Sequence, residues 1–413
     1  MSPLAGSRIL SPRTKGTLAL AAAIGVLGNS GIITAQSVPS PQISTIERIA
    51  RPGWWPTKGT APRSEYVGPA ACASCHSSIA ATQKQHNMAR ALTHSSESET
   101  LHNAVGSSFR LGSFQYRISQ NPEGRITATV SDATRSLSDT LVWAFGSGAV
   151  GQTLLFERNG SFYESRFSLF PNAKTIDTTP NQRQWVARTL EQAAGRRLGE
   201  PETKRCFGCH STAAVTEGRL DTDHLMVGVT CEGCHGPGAI HSAMMKSGMD
   251  QGTMQIANPV KMSPGDRVDF CGACHGTSWD IVLSGTTGIE NVRFPAYRLE
   301  KSRCWGKGDA RMVCTACHNP HEPLVHDSAS YDGKCQSCHV NTGEKATAEH
   351  PGAACKVGTK NCAGCHMAKY ELREMHTTYT DHYIRVVTDT SNFPDGPPVV
   401  GSPVGPSKQS QMR

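Results

Sequence analysis

Between residues 105 and 178 apolar and polar positions alternate. Phe114, Tyr116 and Ile118 are separated by polar residues, the turn-forming Asn121-Pro122-Glu123-Gly124 follows, and the stretch RITATV resumes the pattern. Successive side chains of a strand point to opposite faces, so a period of two on either side of a turn predicts an antiparallel hairpin. Residues 152–158, Asn159-Gly160 and 161–169 repeat this arrangement, and Asn-Gly suits a two-residue hairpin turn. Segment 105–178 is therefore expected to be a small β-rich module with no metal ligands of its own. Residues 66–104 read as a helical segment, with Ile79, Ala80, Gln83 and Lys84 at helical spacing. From 179 to 390 the periodic signals weaken, and short helical stretches alternate with Gly- and Pro-rich loops. The expected fold is mostly α with little regular structure beyond this small β-rich insert.

The two ends differ from the rest. Arg8, Arg13 and Lys15 precede an uncharged, mostly apolar run at 17–27, and Thr34-Ala35 offers a small residue for cleavage. Residues 1–35 thus read as a secretory signal peptide. A retained membrane anchor is the competing reading, although the strongly apolar part falls short of the ~20 residues of a span. Residues 36–65 read as a linker rich in Pro, Ser and Thr, and 391–413 as a disordered tail.

Composition changes the picture of the middle. Only 37% of residues are hydrophobic, against roughly 45–50% apolar in ordinary domains, so something other than apolar side chains must help fill the interior. The 16 cysteines indicate what that is. CxxCH begins at Cys72, Cys206, Cys231, Cys271, Cys314, Cys335 and Cys362, with 134 residues between the first two starts and steps of 25, 40, 43, 21 and 27 thereafter. On a helical turn positions i, i+3 and i+4 share one face. Two thiols three apart can both form thioethers to one porphyrin, and the histidine that follows points at its iron, which is the signature of covalent haem c. The pairs Cys72/Cys75, Cys206/Cys209, Cys231/Cys234, Cys271/Cys274, Cys314/Cys317, Cys335/Cys338 and Cys362/Cys365 would anchor seven haems. His76, His210, His235, His275, His318, His339 and His366 would be the proximal iron ligands. A zinc ribbon would leave the histidine after each second cysteine unexplained, and a thioredoxin-like pair would need a βαβ context that is absent. Cys304 and Cys355 are left over and could form one disulfide or remain thiols.

Ten histidines lie outside the motifs and compete with methionines for the second axial positions. His241 follows the third motif across a Gly-Pro-Gly turn, and His321 lies in CHNPH. His376 and His382 flank TTYTD, and His224 precedes the third motif. Near the first motif stand His86, Met88, His94 and His102; His326 and His350 are weaker candidates. The net charge of +7 says nothing of nucleic acid, because the signal removes three positive charges, haem adds acidic groups, and no Lys/Arg stripe is present. Paired catalytic carboxylates, a phosphate loop, a dinucleotide fingerprint and a Ser/His/Asp arrangement are also missing.

Several stretches carry a family resemblance: YVGPAACASCH with HNMARAL, WAFGSGAVGQTLLFERNGSFYESRFSLF, CFGCHST, GVTCEGCHGPGAIH, FCGACHG, VRFPAYRLEKSRC, CTACHNPH, YDGKCQSCH and NCAGCHMAKYEL. Together they resemble multihaem c-type cytochromes with a cytochrome c-552/c-554 type domain, a group related to hydroxylamine oxidoreductase and pentahaem nitrite reductase. The resemblance runs over 66–387. It implies a multihaem cytochrome fold built around stacked haems, electron transfer, a periplasmic location, distal roles for His241, His321, His376 and His382, and an interest in Met88. One departure weakens a catalytic reading: nitrite reductases of this group bind their catalytic haem through CxxCK, and every motif here ends in His. Nor does anything mark Tyr370, Tyr379 or Tyr383 as a haem crosslink.

The expected domain order is signal peptide, linker, first haem segment (66–104), β module (105–178), six-haem core (179–390) and tail. The expected function is an exported seven-haem cytochrome relaying electrons between redox proteins, with homo-oligomerisation open and no transmembrane span in the mature form. Two alternatives stand. One is an oxidoreductase acting on a small nitrogen or sulfur compound at one open haem. The other is an assembly subunit that docks a partner through the β module.

Overall fold

The alternating segment folds into more than a hairpin pair. The structure is a computed structural model. It describes residues 55–56, 59–250, 252, 255–305, 312–339, 355, 357–387 and 393–394, so the signal region, most of the linker, His350 and nearly all of the tail lie outside the described residues. Nine strands form one sheet: β1 (Leu92–His94), β2 (Ser108–Leu111), β3 (Phe114–Gln120), β4 (Ile126–Ser131), β5 (Ser136–Phe145), β6 (Gln152–Arg158), β7 (Ser161–Phe170), β8 (Thr175–Thr178) and β9 (Gly195–Arg197). Their order is β2-β3-β4-β5-β6-β7-β8, with β1 added to β5 and β9 to β7, and every pairing is antiparallel. The end strands β2 and β8 come together, so the sheet nearly closes on itself.

This corrects the expectation of a mostly α fold with a small β-rich insert. The weight given to the CxxCH turns hid how much chain the strands take up. Two sources of strand were not visible in the alternation. β1 is three residues long and pairs with the C-terminal half of β5, and β9 pairs with β7 from 195–197. Strands this short carry no period of their own.

The local chemistry of the sheet follows its sequence. In β3 the buried residues are Phe114, Tyr116 and Ile118, alternating with exposed ones. Asn159 and Gly160 both take positive φ, 50° and 69°, between paired Arg158 and Ser161, as a type I′ turn requires. The inner face gathers Ile118, Ile126, Val130, Leu141, Leu154, Phe156, Phe167 and Leu169 into one apolar cluster, each fully buried side chain contributing roughly 1.5–3 kcal/mol. Tyr116 keeps its hydroxyl satisfied there by donating to the Ala193 carbonyl at 2.8 Å. A second cluster joins the barrel to the helix Glu200–His210: Trp143, Phe145 and Leu155 pack with Leu198, Phe207 and Ala214.

Beyond residue 210 the elements are short helices, two-residue strand pairs and, after the seventh motif, a hairpin of Lys369–Leu372 with Thr377–Thr380. The apolar cluster of this part is small, centred on Val268, Ala296, Leu299 and Val313. Among the described residues no helix is long and apolar enough to cross a membrane.

Candidate haem sites

Each CxxCH stands on a helical turn. The helices Glu200–His210 and Pro264–His275 end on the second and fourth motifs, and Cys231–His235 and Cys362–His366 consist of the third and seventh. In the others the turn closes by backbone bonds from the histidine N–H to the first cysteine carbonyl: His76 to Cys72 at 2.9 Å, His318 to Cys314 at 3.0 Å and His339 to Cys335 at 3.0 Å. Both thiols and the imidazole thus leave one turn, the arrangement the spacing calls for.

Different motifs meet through their sulfurs. Cys72 lies beside Cys231, Cys209 beside Cys274, Cys271 beside Cys314, and Cys335 beside Cys362, close enough to perturb each other's thiols. The first motif therefore adjoins the third, the second the fourth, the fourth the fifth, and the sixth the seventh. Contact with Cys72 brings the Cys231 thiol down to about 7. Burial instead pushes Cys206 up to about 12 and Cys234 to about 11, and it raises Cys317 as well.

Cys75, Cys338 and Cys365, all expected haem anchors, lie nearer the surface. Cys75 and Cys365 are exposed and Cys338 is half-buried. Cys75 and Cys338 each sit beside the hydroxyl of the preceding serine, Ser74 at 3.8 Å and Ser337 at 3.9 Å.

The histidines show which nitrogen is offered to a metal. Nδ1 of His210 faces the Ala91 carbonyl at 2.9 Å, that of His235 the Ala257 carbonyl at 2.8 Å, and that of His366 the Arg385 carbonyl at 2.9 Å. Outside the motifs, His241 Nδ1 faces the Gly252 carbonyl at 2.8 Å and His382 Nδ1 the Thr380 carbonyl at 3.1 Å. A carbonyl only accepts, so Nδ1 carries the proton and Nε2 keeps its lone pair, the second-sphere arrangement typical of metal-bound histidine. Burial lowers the pKa of His210 and His275, and burial with the neighbouring His318 brings His382 to about 4. All three are held neutral, the ligating form.

Three imidazole pairs face each other. His76 and His241 stack with centroids 6.5 Å apart at 16°, His235 and His321 at 6.0 Å and 7°, and His318 and His382 at 6.1 Å and 46°. An imidazole nitrogen binds a metal at about 2 Å, so two rings on opposite sides of one ion have centroids about 6 Å apart. Thiols on the same turn as one ring of each pair complete a donor set that fits haem c. A bare metal ion is served less well, because among the described residues no group of three or more His, Cys, Asp or Glu side chains converges to hold one.

The remaining candidates are engaged otherwise. His376 gives its Nε2 to Asp177 of β8 at 2.9 Å and packs on Phe170. His102 points Nε2 at the Ser96 carbonyl at 2.7 Å. His224 is exposed and paired with Asp221. His94 stacks on Trp143 at 4.1 Å. His86 accepts the Met88 N–H on Nδ1, and the Met88 carbonyl accepts from Val229 N. His326 is exposed. Cys355 is exposed and in no disulfide, so the pairing with Cys304 is not made in this structure.

Three groups near these histidines went unread in the sequence. Glu232, inside the third motif, is buried. Arg298 and Asp381 are fully buried and form a two-pronged ion pair at 2.7 and 2.8 Å, joined by Arg385. Asp332, in the sixth motif's helix, accepts from the backbone N–H groups of Asn361 and Cys362. For Glu232 and Asp332 the signal was a charged residue in or near a motif, which on its own reads as solvated surface; Arg298 and Asp381 lie outside the motifs.

The family model described as cytochrome c554 and c-prime matches residues 163–236, from β7 through the third motif. A high-molecular-weight cytochrome c from Nitratidesulfovibrio vulgaris (strain Hildenborough) is 27% identical over 194 residues, which is 45% of this chain and 29% of that protein. The matched stretch thus spans less than a third of that relative's length. The crystal structure of the outer cell wall cytochrome OcwA aligns with a TM-score of 0.47 at 14% identity, covering 78% of this chain and 80% of that one. Joined to the CxxCH turns, the first two matches make this part of the chain similar to multihaem c-type cytochromes, the class of protein that binds haem c covalently.

Proposed function

We propose that the chain is an exported seven-haem cytochrome that relays electrons between redox proteins. One observation carries the reading: each facing imidazole pair joins two different motif segments. His76 of the first motif faces the histidine that follows the third, and His235 of the third faces the one that follows the fifth. His318 of the fifth faces a histidine beyond the seventh. Two motif segments holding one haem would interlock neighbouring sites, and the adjacent motif thiols would hold their haems as near neighbours. Bound haem supplies one-electron chemistry at iron. This chain's residues anchor it, hold imidazoles neutral with Nε2 free, and set the order of neighbours.

On this reading His241, His321 and His382 are the distal ligands of the first, third and fifth haems. Cys75, Cys338 and Cys365 are the outlying anchors of the first, sixth and seventh. His376, His102, His224 and Met88 have competing partners or positions, and His376 instead ties the seventh motif's hairpin to β8. Export rests on the basic-then-apolar N-terminus, and redox proteins as partners rest on the haem class.

The test combines haem counting with spectroscopy. Intact mass should show seven covalent haems on a chain lacking its first 35 residues, and the ferric spectrum should be dominated by low-spin bis-imidazole signals. A reduced protein should pass electrons to small redox proteins without consuming nitrite, hydroxylamine or sulfite. A high-spin iron that turns over one of those compounds would overturn the relay in favour of an oxidoreductase.

A further inference from the structure

Glu232 occupies the second position of the third motif, between two thiols, yet it is only 1% exposed. Its Oε1 accepts from the N–H of Val67 at 2.9 Å and of Gly238 at 2.8 Å, and its Oε2 accepts from Gly68 N–H at 2.8 Å. These donors stand at the starts of two helices. Val67 and Gly68 immediately precede the helix Pro69–Ala73, which carries Cys72. Gly238 caps the helix Ala239–Lys246, which carries His241. The approach is close: a Cβ on Gly238 would lie 3.2 Å from Glu232 Oε1 and 3.3 Å from Val67 Cγ2. One carboxylate thus ties together two helical segments whose histidines, His76 and His241, face each other at 6.5 Å.

We propose that Glu232 is a positioning residue for the first haem: its carboxylate sets the separation of His76 and His241 and holds the first and third motifs at the Cys72–Cys231 contact. The proposal rests on the reading of His76 and His241 as an axial pair. Three backbone dipoles are its hydrogen-bond partners, and no ion pair to it is formed among the described residues. Its negative charge in a low-dielectric setting therefore favours ferric over ferrous iron nearby and lowers that haem's potential. Asp332 makes the analogous link between the sixth and seventh motifs, accepting from Asn361 N–H at 2.6 Å and Cys362 N–H at 2.7 Å. Its helix buries no residue, so solvent and salt screen its charge, and it serves as the internal control.

The experiment compares the holoprotein with Glu232→Ala, Glu232→Gln, Asp332→Asn and His241→Ala by intact mass, EPR and redox titration. Glu232→Ala should keep every covalent haem and convert one of them from low to high spin, and added imidazole should restore the low-spin signal. Glu232→Gln keeps an oxygen for Val67 and Gly238. It should stay low-spin while one Nernstian component moves to higher potential, a shift larger than any in Asp332→Asn. His241→Ala should create one high-spin haem. If it does and Glu232→Ala stays fully low-spin, or if Glu232→Gln titrates like the wild type, the positioning role is overturned. If His241→Ala itself leaves every haem low-spin, it is the axial-pair reading that fails. Should Glu232→Ala not accumulate, the titration of Glu232→Gln decides.

Discussion

The barrel and the motif-bearing region beyond it solve the problem of an interior differently. In the barrel, strands alternate, side chains of the inner face interlock, and one cluster runs from Leu101 to Ala194. Beyond residue 210 the apolar cluster shrinks to a handful of residues, and buried polar devices take over: Glu232 on three backbone N–H groups, Arg298 on Asp381, and imidazoles on carbonyls. The first region carries its own hydrophobic driving force. On the proposed reading, the second supplies attachment points and polar braces for a cofactor whose macrocycle would itself be the apolar mass. The low hydrophobic fraction of the sequence is therefore an average over two unlike parts.

The sharpest way to break this comparison is to deny the chain its haem. Apoprotein accumulated where thioether formation does not occur should keep slow amide exchange across β3–β7, while residues beyond 229 exchange with opening free energies near zero. Binding and folding are one event where a site does not exist without its ligand. Uniform protection in both regions, read by hydrogen exchange with mass spectrometry, would show that the motif region folds on its own residues.

Next in size is Arg298→Met. Arg298 and Asp381 are both 0% exposed, and removing one partner of a buried pair costs about 3–5 kcal/mol because a charge is left without its counterpart. Arg385 remains on Asp381 Oδ2 at 2.8 Å, which places the expected loss at about 3 kcal/mol. His382 follows Asp381 directly, so the denaturant midpoint read by haem absorbance should fall. Leu154→Ala makes the opposite cut. Leu154 is fully buried in the barrel, and its truncation should cost about 2–3 kcal/mol in the transition read by far-ultraviolet dichroism, with the haem spectrum unchanged. If both variants shift both probes together, the two regions unfold as one unit and the comparison loses its force.

Legibility followed the same divide. The seven CxxCH turns, the Asn159-Gly160 hairpin and the buried face of β3 were legible because each is encoded in a few adjacent residues. The full extent of the sheet was not, since β1 and β9 are three-residue strands recruited by β5 and β7, and its closure needs β2 to meet β8, far along the chain. Glu232 and Arg298 were illegible for a related reason: their partners lie far along the chain, at Val67–Gly68 and Asp381, and a charged residue gives no local sign of burial. His376 adds a further case: the resemblance implied a distal role, and local sequence held no hint that Asp177, far away in β8, would lie 2.9 Å from its Nε2.

The smallest expected effect concerns acid–base behaviour within the motif region. Burial, together with a hydrogen bond to Glu374 and opposed by Arg293, raises the Glu290 carboxyl to about 7 from an ordinary 4.5. Glu290 thus holds its proton to higher pH where the Gly288–Arg293 and Arg373–Met375 turns meet. A carboxyl raised on folding stabilises fully below its unfolded value and loses that contribution as pH rises through the folded one. Wild-type stability, read at the haem band, should therefore decline between about pH 4.5 and 7, by about 1 kcal/mol once solvent screening of this half-exposed pair is allowed for. Glu290→Gln keeps a neutral hydrogen-bonding group at all pH values and should flatten the decline, while the barrel transition, which lacks this carboxyl pair, is expected to respond equally in both proteins. Identical pH slopes at the haem band in wild type and variant would remove the raised Glu290 carboxyl from the account of how these turns are held.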